Sequence, residues 1–274
     1  MDINPLAEQW KKRGLLLHDH QKEGVEEMYG WYKAGHGGIN GDEMGLGKTC
    51  QAVVVMMRLM KEVGGPFLVV CPLSVCGHWV SEIQRFSCDE LDPVGYFGYG
   101  EQRANVLKNL GKLKRNTVFI IPYHLFRNES AVVTNLQVES RLKFDVVVVD
   151  EAHAIKNQNS LLSENLKPYR SHAWFLLMTG TPIQNNLHEL YTLLTFVDSN
   201  KFCDTILSRD SFVSKYKKTE NIDRLKEILS TYMIRRTKDA VCKNLPSCDQ
   251  VIIYHNLTEL QKKLYLDIIS KDYG

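Results

Sequence analysis

Four apolar runs constrain this chain more than anything else in it: "PFLVVCP" (66–72), "TVFII" (117–121), "FDVVVVD" (144–150) and "AWFLLMTG" (173–180). They are continuous rather than alternating and rich in Val, Ile, Leu and Phe, as strands buried on both faces must be. Longer amphipathic stretches separate them. Residues 48–62 place Val53, Met56, Met57 and Met60 on one helical face, and "VSEIQRF" puts Ile83 and Phe86 on the side of Trp79. "EQRANVLKNLGK" (101–112) and "LHELYTLLTFV" (187–197) read as further helices. Strands alternating with helices predict an α/β fold with a mainly parallel sheet flanked by helices.

After about residue 200 the strand signal fades. Residues 205–245 read as helices, with Ile222, Leu225, Ile228 and Leu229 at helical spacing. A short apolar run, "VIIYH", begins at Val251, and the amphipathic stretch "LTELQKKLYLDII" follows it. The expected organisation is a sheet-based lobe over 1–200, a basic helical protrusion of the same lobe over 201–246, and a connector over 247–274.

Composition narrows the classes. The apolar runs fall far short of the ~20 residues a membrane span needs, and "MDINPLAEQWKKRG" carries no apolar signal-peptide core. No membrane partner is expected. The seven cysteines include no C-x-x-C pair, which argues for reduced thiols rather than a disulfide frame or a zinc site. Cys71 and Cys76 flank a Pro-Leu-Ser turn, but no second ligand pair accompanies them. Net charge is +2, yet residues 201–246 hold eleven Lys or Arg against six Asp or Glu. Such a segment can face nucleic acid or form a solvated helical surface.

In parallel sheets, ligands bind at the carboxyl ends of strands. Three polar clusters fall at such ends: "GDEMGLGKT" (41–49), "DEAH" (150–153) and "TGTP" (179–182). The first is one glycine short of a phosphate loop, with Asp42 where G-x-x-x-x-G-K-[ST] has its first glycine. Gly45 and Gly47 can still turn successive N–H groups inward. The helix from Lys48 adds its positive end. Lys48 suits the β and γ phosphates, and Thr49 suits Mg²⁺. Asp150, brought to a strand end by four valines, can hold Mg²⁺, and Glu151 can activate an attacking water. His153 could link the site to its neighbours. Gln21 can pair with N6 and N7 of adenine, selecting ATP. In "TGTPIQNNLHELY", Thr181 or Asn185 could cap the next helix, and the turn could sense the γ phosphate.

"GDEMGLGKT", "VVDEAHAIKN" and "LMTGTPIQNNLHELYTLLTFV" resemble the first RecA-like lobe of Swi/Snf-type chromatin-remodelling ATPases in helicase superfamily two. "YMIRRTKDAVCKNLP" (232–246) is similar to a segment that follows the helical protrusion in that family. There the phosphate loop also begins with Asp. The resemblance implies nucleotide contact by Gln21, Asp42, Gly45, Leu46, Gly47, Lys48, Thr49 and Asp150, with Lys48 and Glu151 catalytic and Thr49 and Asp150 on Mg²⁺. It implies that "CPLSVCGHW" (71–79), with Ser74, and "IPYH" (121–124), with Tyr123, track one DNA strand. It implies ATP, Mg²⁺, double-stranded DNA, nucleosomes, a second RecA-like lobe and a nuclear setting. "PFLVVCPLSV", "KNQNSLL" and "YHNLTELQKKLY" are most similar to the family's poly(ADP-ribose)-responsive members.

The sequence departs from that pattern at His18 and His20, where arginine and an aromatic residue are usual. It departs also at Asn40, where the family has an apolar residue, and at Pro122, where it has Thr or Ser. No Q-x-x-G-R-x-x-R segment of a second lobe occurs in the 274 residues. An arginine finger contributes ~10³–10⁵ in rate, so these residues alone are expected to bind ATP weakly and hydrolyse it very slowly. The alternatives are a strand-separating DEAH-type helicase and a non-catalytic nucleotide-sensing scaffold.

Overall fold

The computed structural model describes residues 10–12, 14–180, 186–203, 206–217, 219–241, 251 and 254–270. Seven parallel strands form one sheet in the order β3-β4-β2-β5-β6-β1-β7. They are β1 (Gly38–Asn40), β2 (Phe67–Cys71), β3 (Asp92–Gly95), β4 (Thr117–Pro122), β5 (Val146–Val149), β6 (Trp174–Met178) and β7 (Met233–Ile234).

The continuous apolar runs are the inner strands, and their alternate residues serve opposite layers. Phe67, Val69, Cys71, Val118, Ile120, Val146 and Val148 meet helices α1 (Asp19–Lys33), α2 (Lys48–Glu62) and α3 (Cys76–Phe86). Leu68, Val70, Phe119, Ile121, Val147 and Val149 meet the other layer. That layer holds α5 (Tyr123–Asn128), α6 (Ser130–Ser140), α7 (Leu161–Leu166) and α8 (Leu187–Val197), while α4 (Gly100–Leu110) lies beside β3. Every residue of β2 has zero exposure, as a central parallel strand requires.

Two strands went unread in the sequence, each for a local reason. β3 is "DPVG", three of whose four residues disfavour strands, and it survives at the sheet edge where Pro is tolerated. β7 has two residues and no periodicity. It lies within the stretch expected to be helical and takes its form from pairing with β1, Ile39 to Met233 and Asn40 to Ile234. The helix cap after "TGTP" also differs. Residues 181–185, including Thr181 and Asn185, lie outside the described residues, and the cap of α8 is Asn186, whose side chain accepts from the His188 amide.

The chain forms two compact units, 1–241 and 242–274. Helices α9 (Arg209–Tyr216) and α10 (Ile222–Tyr232) bury Phe212, Tyr216 and Tyr232 in the same core as β5 and β6. A short helix, α11 (Lys238–Val241), ends the first unit. In the second unit, α12 (Glu259–Ser270) is exposed and starts on a Thr258–Gln261 capping pair. None of the helices among the described residues is long and apolar enough to cross a membrane.

Candidate functional site at the carboxyl ends of the strands

The strand order decides which loops meet. β6 lies between β1 and β5, so the loops after all three emerge side by side. Backbone bonds continue the ladder past the strands: Thr179 N donates to Asn40 O at 3.0 Å, and Asp150 N donates to Val70 O at 3.0 Å. The three polar clusters of the sequence therefore converge.

The loop after β1 turns on two left-handed glycines, Gly45 (φ 89°) and Gly47 (φ 78°), conformations that side chains resist. Gly47 is the N-cap of α2, so the first amides of a fifteen-residue helix face the loop. Lys48 folds back and donates from Nζ to Asp42 O at 2.8 Å and Glu43 O at 3.4 Å. Burial pushes its ammonium pKa down, against the opposing pull of Glu151 and Asp150. A Cβ at Gly180, just past β6, would stand 3.5 Å from Lys48 Nζ. Lys48 thus sits among all three clusters.

Asp150 is nearly buried. Its carboxylate accepts from Trp79 Nε1 at 2.9 Å and from the Glu151 amide at 2.9 Å. Burial raises its pKa more than those two donors lower it. Glu151 is one of four non-glycine residues at positive φ among those described (φ 50°, ψ 54°). That geometry is uncommon for a non-glycine residue and concentrates at functional sites. Its Oε2 lies 3.3 Å from His153 Nδ1, so His153 meets the acid pair itself. Its carbonyl accepts from Tyr123 Oη at 3.1 Å.

Gln21, on α1, lies against the loop. A Cβ at Gly47 would collide with its amide. Its Oε1 accepts from His18 N at 2.9 Å and its Nε2 donates to Leu46 O at 3.3 Å. These bonds use one of its two N–H donors and one of its two acceptor lone pairs, so the amide keeps capacity to read a base. His20 Nε2 also approaches Leu46 O, at 3.2 Å, and stacks on His18 with centroids 5.6 Å apart.

Asp42 occupies a setting the sequence did not foresee. Its carboxylate has zero exposure and receives the Arg236 amide, Nε and Nη2 at 3.1, 3.0 and 2.6 Å. Gln51 Nε2 adds a bond at 3.2 Å, and Asn40 accepts from the Asp42 amide at 3.1 Å. The side chain is therefore turned into the fold, and what Asp42 offers the loop is its backbone. Arg236, in the basic segment that the sequence left open between nucleic-acid contact and a solvated surface, is committed to this bridge. Asn40, Gln51 and Trp79 are further site neighbours that sequence reasoning did not place there. Asn40 had drawn notice only as a polar residue in an apolar position and Trp79 as a helix-face and DNA-tracking residue, while Gly180 belongs to the "TGTP" cluster.

Ser74 is exposed in the turn that leads into α3. Tyr123 is half-buried, and its hydroxyl serves Glu151. The Cys71 and Cys76 sulfurs lie 3.5 Å apart and are buried. No cluster of metal-ligating residues occurs among the described residues.

The family of SNF2-related domains matches residues 20–273. Chromodomain-helicase-DNA-binding protein 1-like from Mus musculus is 37% identical over 274 residues, covering 98% of this chain and 29% of that protein. A probable chromatin-remodeling complex ATPase chain from Oryza sativa subsp. japonica is 34% identical over 260 residues, covering 93% and 23%. The solved SWI2/SNF2 ATPase core of Sulfolobus solfataricus in complex with dsDNA superposes with a TM-score of 0.66 at 27% identity, covering 93% of this chain and 54% of that one. The chain thus spans less than a third of these curated relatives and about half of the solved core.

Proposed function

Because this chain belongs to the family of SNF2-related domains, we propose that it is the first RecA-like lobe of a DNA-dependent ATPase that drives translocation on double-stranded DNA and remodels nucleosomes in the nucleus. One observation carries the reading: Lys48 lies against the glycine loop and Gly180, at the sheet end where Asp150 and Glu151 also emerge, so that a polyphosphate could reach all three.

ATP is the substrate, and the residues fit it. The amides of Gly45, Leu46, Gly47, Lys48 and Thr49 and the Lys48 ammonium suit its phosphates. Gln21 suits adenine. Asp42 shapes the loop from behind. Mg²⁺ would be held by Thr49 and by Asp150, whose raised pKa reflects a charge short of compensation. The ion would neutralise charge developing on the phosphates. Glu151, held at its unusual φ and paired with His153, would orient and activate the attacking water. Ser74 and the backbone at Pro122–Tyr123 would follow one DNA strand, while the Tyr123 hydroxyl steadies Glu151. A second RecA-like lobe would supply the arginines that complete the site. The 274 residues without it would bind ATP weakly and turn it over very slowly. We also propose a place among the poly(ADP-ribose)-responsive members.

The literal "DEAH" string does not by itself make a strand-separating helicase, and a non-catalytic nucleotide sensor keeps the same loop. Both are tested in the full-length protein. DNA-stimulated ATP turnover should be lost in Lys48→Ala, and duplex unwinding should be absent from the parent. Turnover unchanged by the substitution would sink the catalytic assignment, and efficient unwinding would sink the translocase assignment.

A further inference from the structure

We infer that Arg236 is a positioning residue of the nucleotide site, and that the segment from β7 to Lys238 forms the back wall of the phosphate loop. The inference rests on the nucleotide reading above and extends it to a part of the chain that the motifs leave without a role.

The starting point is an unusual burial. A carboxylate with no exposed surface, directly in a loop that must receive polyphosphate, repels the ligand unless its charge is neutralised from within. Asp42 is such a carboxylate. Arg236 neutralises it in fork geometry, with Nε on one oxygen and Nη2 on the other, and its own amide adds a third bond. Lysine, a point charge, cannot reproduce this fork.

The bridge is one part of a longer zipper. Gly41 N donates to Ile234 O at 2.7 Å, and Glu43 N donates to Arg236 O at 2.9 Å. Lys238 N donates to Glu43 Oε2 at 2.7 Å. Residues 41–43 are thus laced to 234–238 ahead of the left-handed glycines, Gly45 and Gly47. Arg236 Nη2 also donates to Gln51 Oε1 on α2 at 3.2 Å, and Nη1 donates to His20 O beside Gln21. Gly24 on α1 leaves room for this, since a Cβ there would collide with Gln51 Oε1 and come within 2.6 Å of Arg236 Nη2. One guanidinium therefore ties together the adenine-side helix, the phosphate loop, the helix that follows it and the segment leaving the helical protrusion. The Lys238 side chain lies over the loop as well, with Nζ 3.6 Å from where a Cβ on Gly45 would be.

A shared backbone ladder makes coupling reciprocal: what orders the loop orders 234–238, and loosening 234–238 loosens the loop. Two measurements test this. The first is amide hydrogen exchange on the native protein. Saturating Mg·ADP should slow exchange at Arg236 and Lys238, although neither amide lies in the phosphate loop. The second is Mg·ADP affinity of Arg236→Lys and of the double variant Asp42→Asn with Arg236→Gln, which removes both charges so that neither is left buried alone. Each should bind Mg·ADP at least fivefold more weakly, while the double variant keeps a near-native melting temperature. A residue that only holds the fold together would shift melting and leave affinity alone. Native affinity in either folded variant, or exchange at 236 and 238 unmoved by Mg·ADP in a native protein that binds it, overturns the inference and spares the nucleotide reading. Absence of any Mg·ADP binding by the native protein overturns both.

Discussion

Asp42 and Asp150 follow strands β1 and β5 of the same parallel sheet, with only β6 between those strands, yet they have opposite surroundings. Asp42 meets a cation, with a forked guanidinium supplied from 194 residues away. Asp150 meets two neutral donors, the Trp79 indole and the Glu151 amide, and burial leaves its pKa raised. One carboxylate is electrostatically complete within the chain, and the other is not. The difference separates a charge that builds the loop from a charge that suits the Mg²⁺ role proposed for it.

The largest expected effect falls on the open side. Glu151→Gln removes the proposed base while keeping size and hydrogen-bonding shape. DNA-stimulated ATP turnover of the full-length protein should fall by about 10²–10⁴-fold, the range a general base contributes. Melting should stay within about 0.5 kcal/mol of the parent, because the residue is only half-buried. Steady-state kinetics with parallel thermal melts decide it; retention of turnover would move the base elsewhere.

The next comparison is direct. Asp42→Asn leaves the largely buried Arg236 guanidinium with only the exposed Glu23, 3.9 Å away, as a charge partner, an error that costs up to about 3–5 kcal/mol. Asp150→Asn removes a charge that burial disfavours, but its one oxygen can replace only one of the two that now accept from Trp79 and the Glu151 amide, so the lost bond, about 0.5–1.5 kcal/mol, offsets the relieved charge and stability should stay near that of the parent. Chemical denaturation of the two variants side by side should separate them by several kcal/mol with Asp42→Asn the weaker. Equal losses would mean that the two carboxylates are compensated alike.

These two sites also mark what the sequence could convey. The sheet was legible because β2, β4, β5 and β6 are apolar on both faces, which leaves few alternatives. The helix over 48–62 appears with those bounds. The placement of the glycine turn and the acid pair was legible because its determinants are local: a glycine turn, a lysine and two carboxylates at strand ends. What escaped is non-local. Nothing around Asp42 signals that its partner is Arg236, since the pairing depends on β7 docking beside β1. β7 itself has too few residues to show a period. Trp79 was visible as an apolar helix residue, but its indole N–H finds Asp150 only after α3 packs against β3 and β4. Burial of a ring and use of its one polar atom are separate facts, and the sequence pattern carries only the first.

The smallest predicted effect bears on how the open side is held. Glu151 keeps a left-handed backbone, a conformation that costs about 1–3 kcal/mol in general and persists only where neighbours fix it. The Tyr123 hydroxyl, donating to the Glu151 carbonyl, is one of those neighbours. Burial pushes the Tyr123 pKa up, so it stays a donor throughout the neutral range. Tyr123→Phe deletes that single bond, which contributes about 0.5–1.5 kcal/mol. If the bond steadies Glu151 where catalysis needs it, kcat falls by about 2–10-fold, each 1.36 kcal/mol being tenfold, while DNA affinity is unchanged. If the hydroxyl instead reaches DNA, affinity falls, and the loss is larger at low salt because phosphate contacts are salt-dependent. Measuring kcat and DNA affinity at two salt concentrations separates a clamp on Glu151 from a contact with the track, on a residue whose place in the motif is compatible with both.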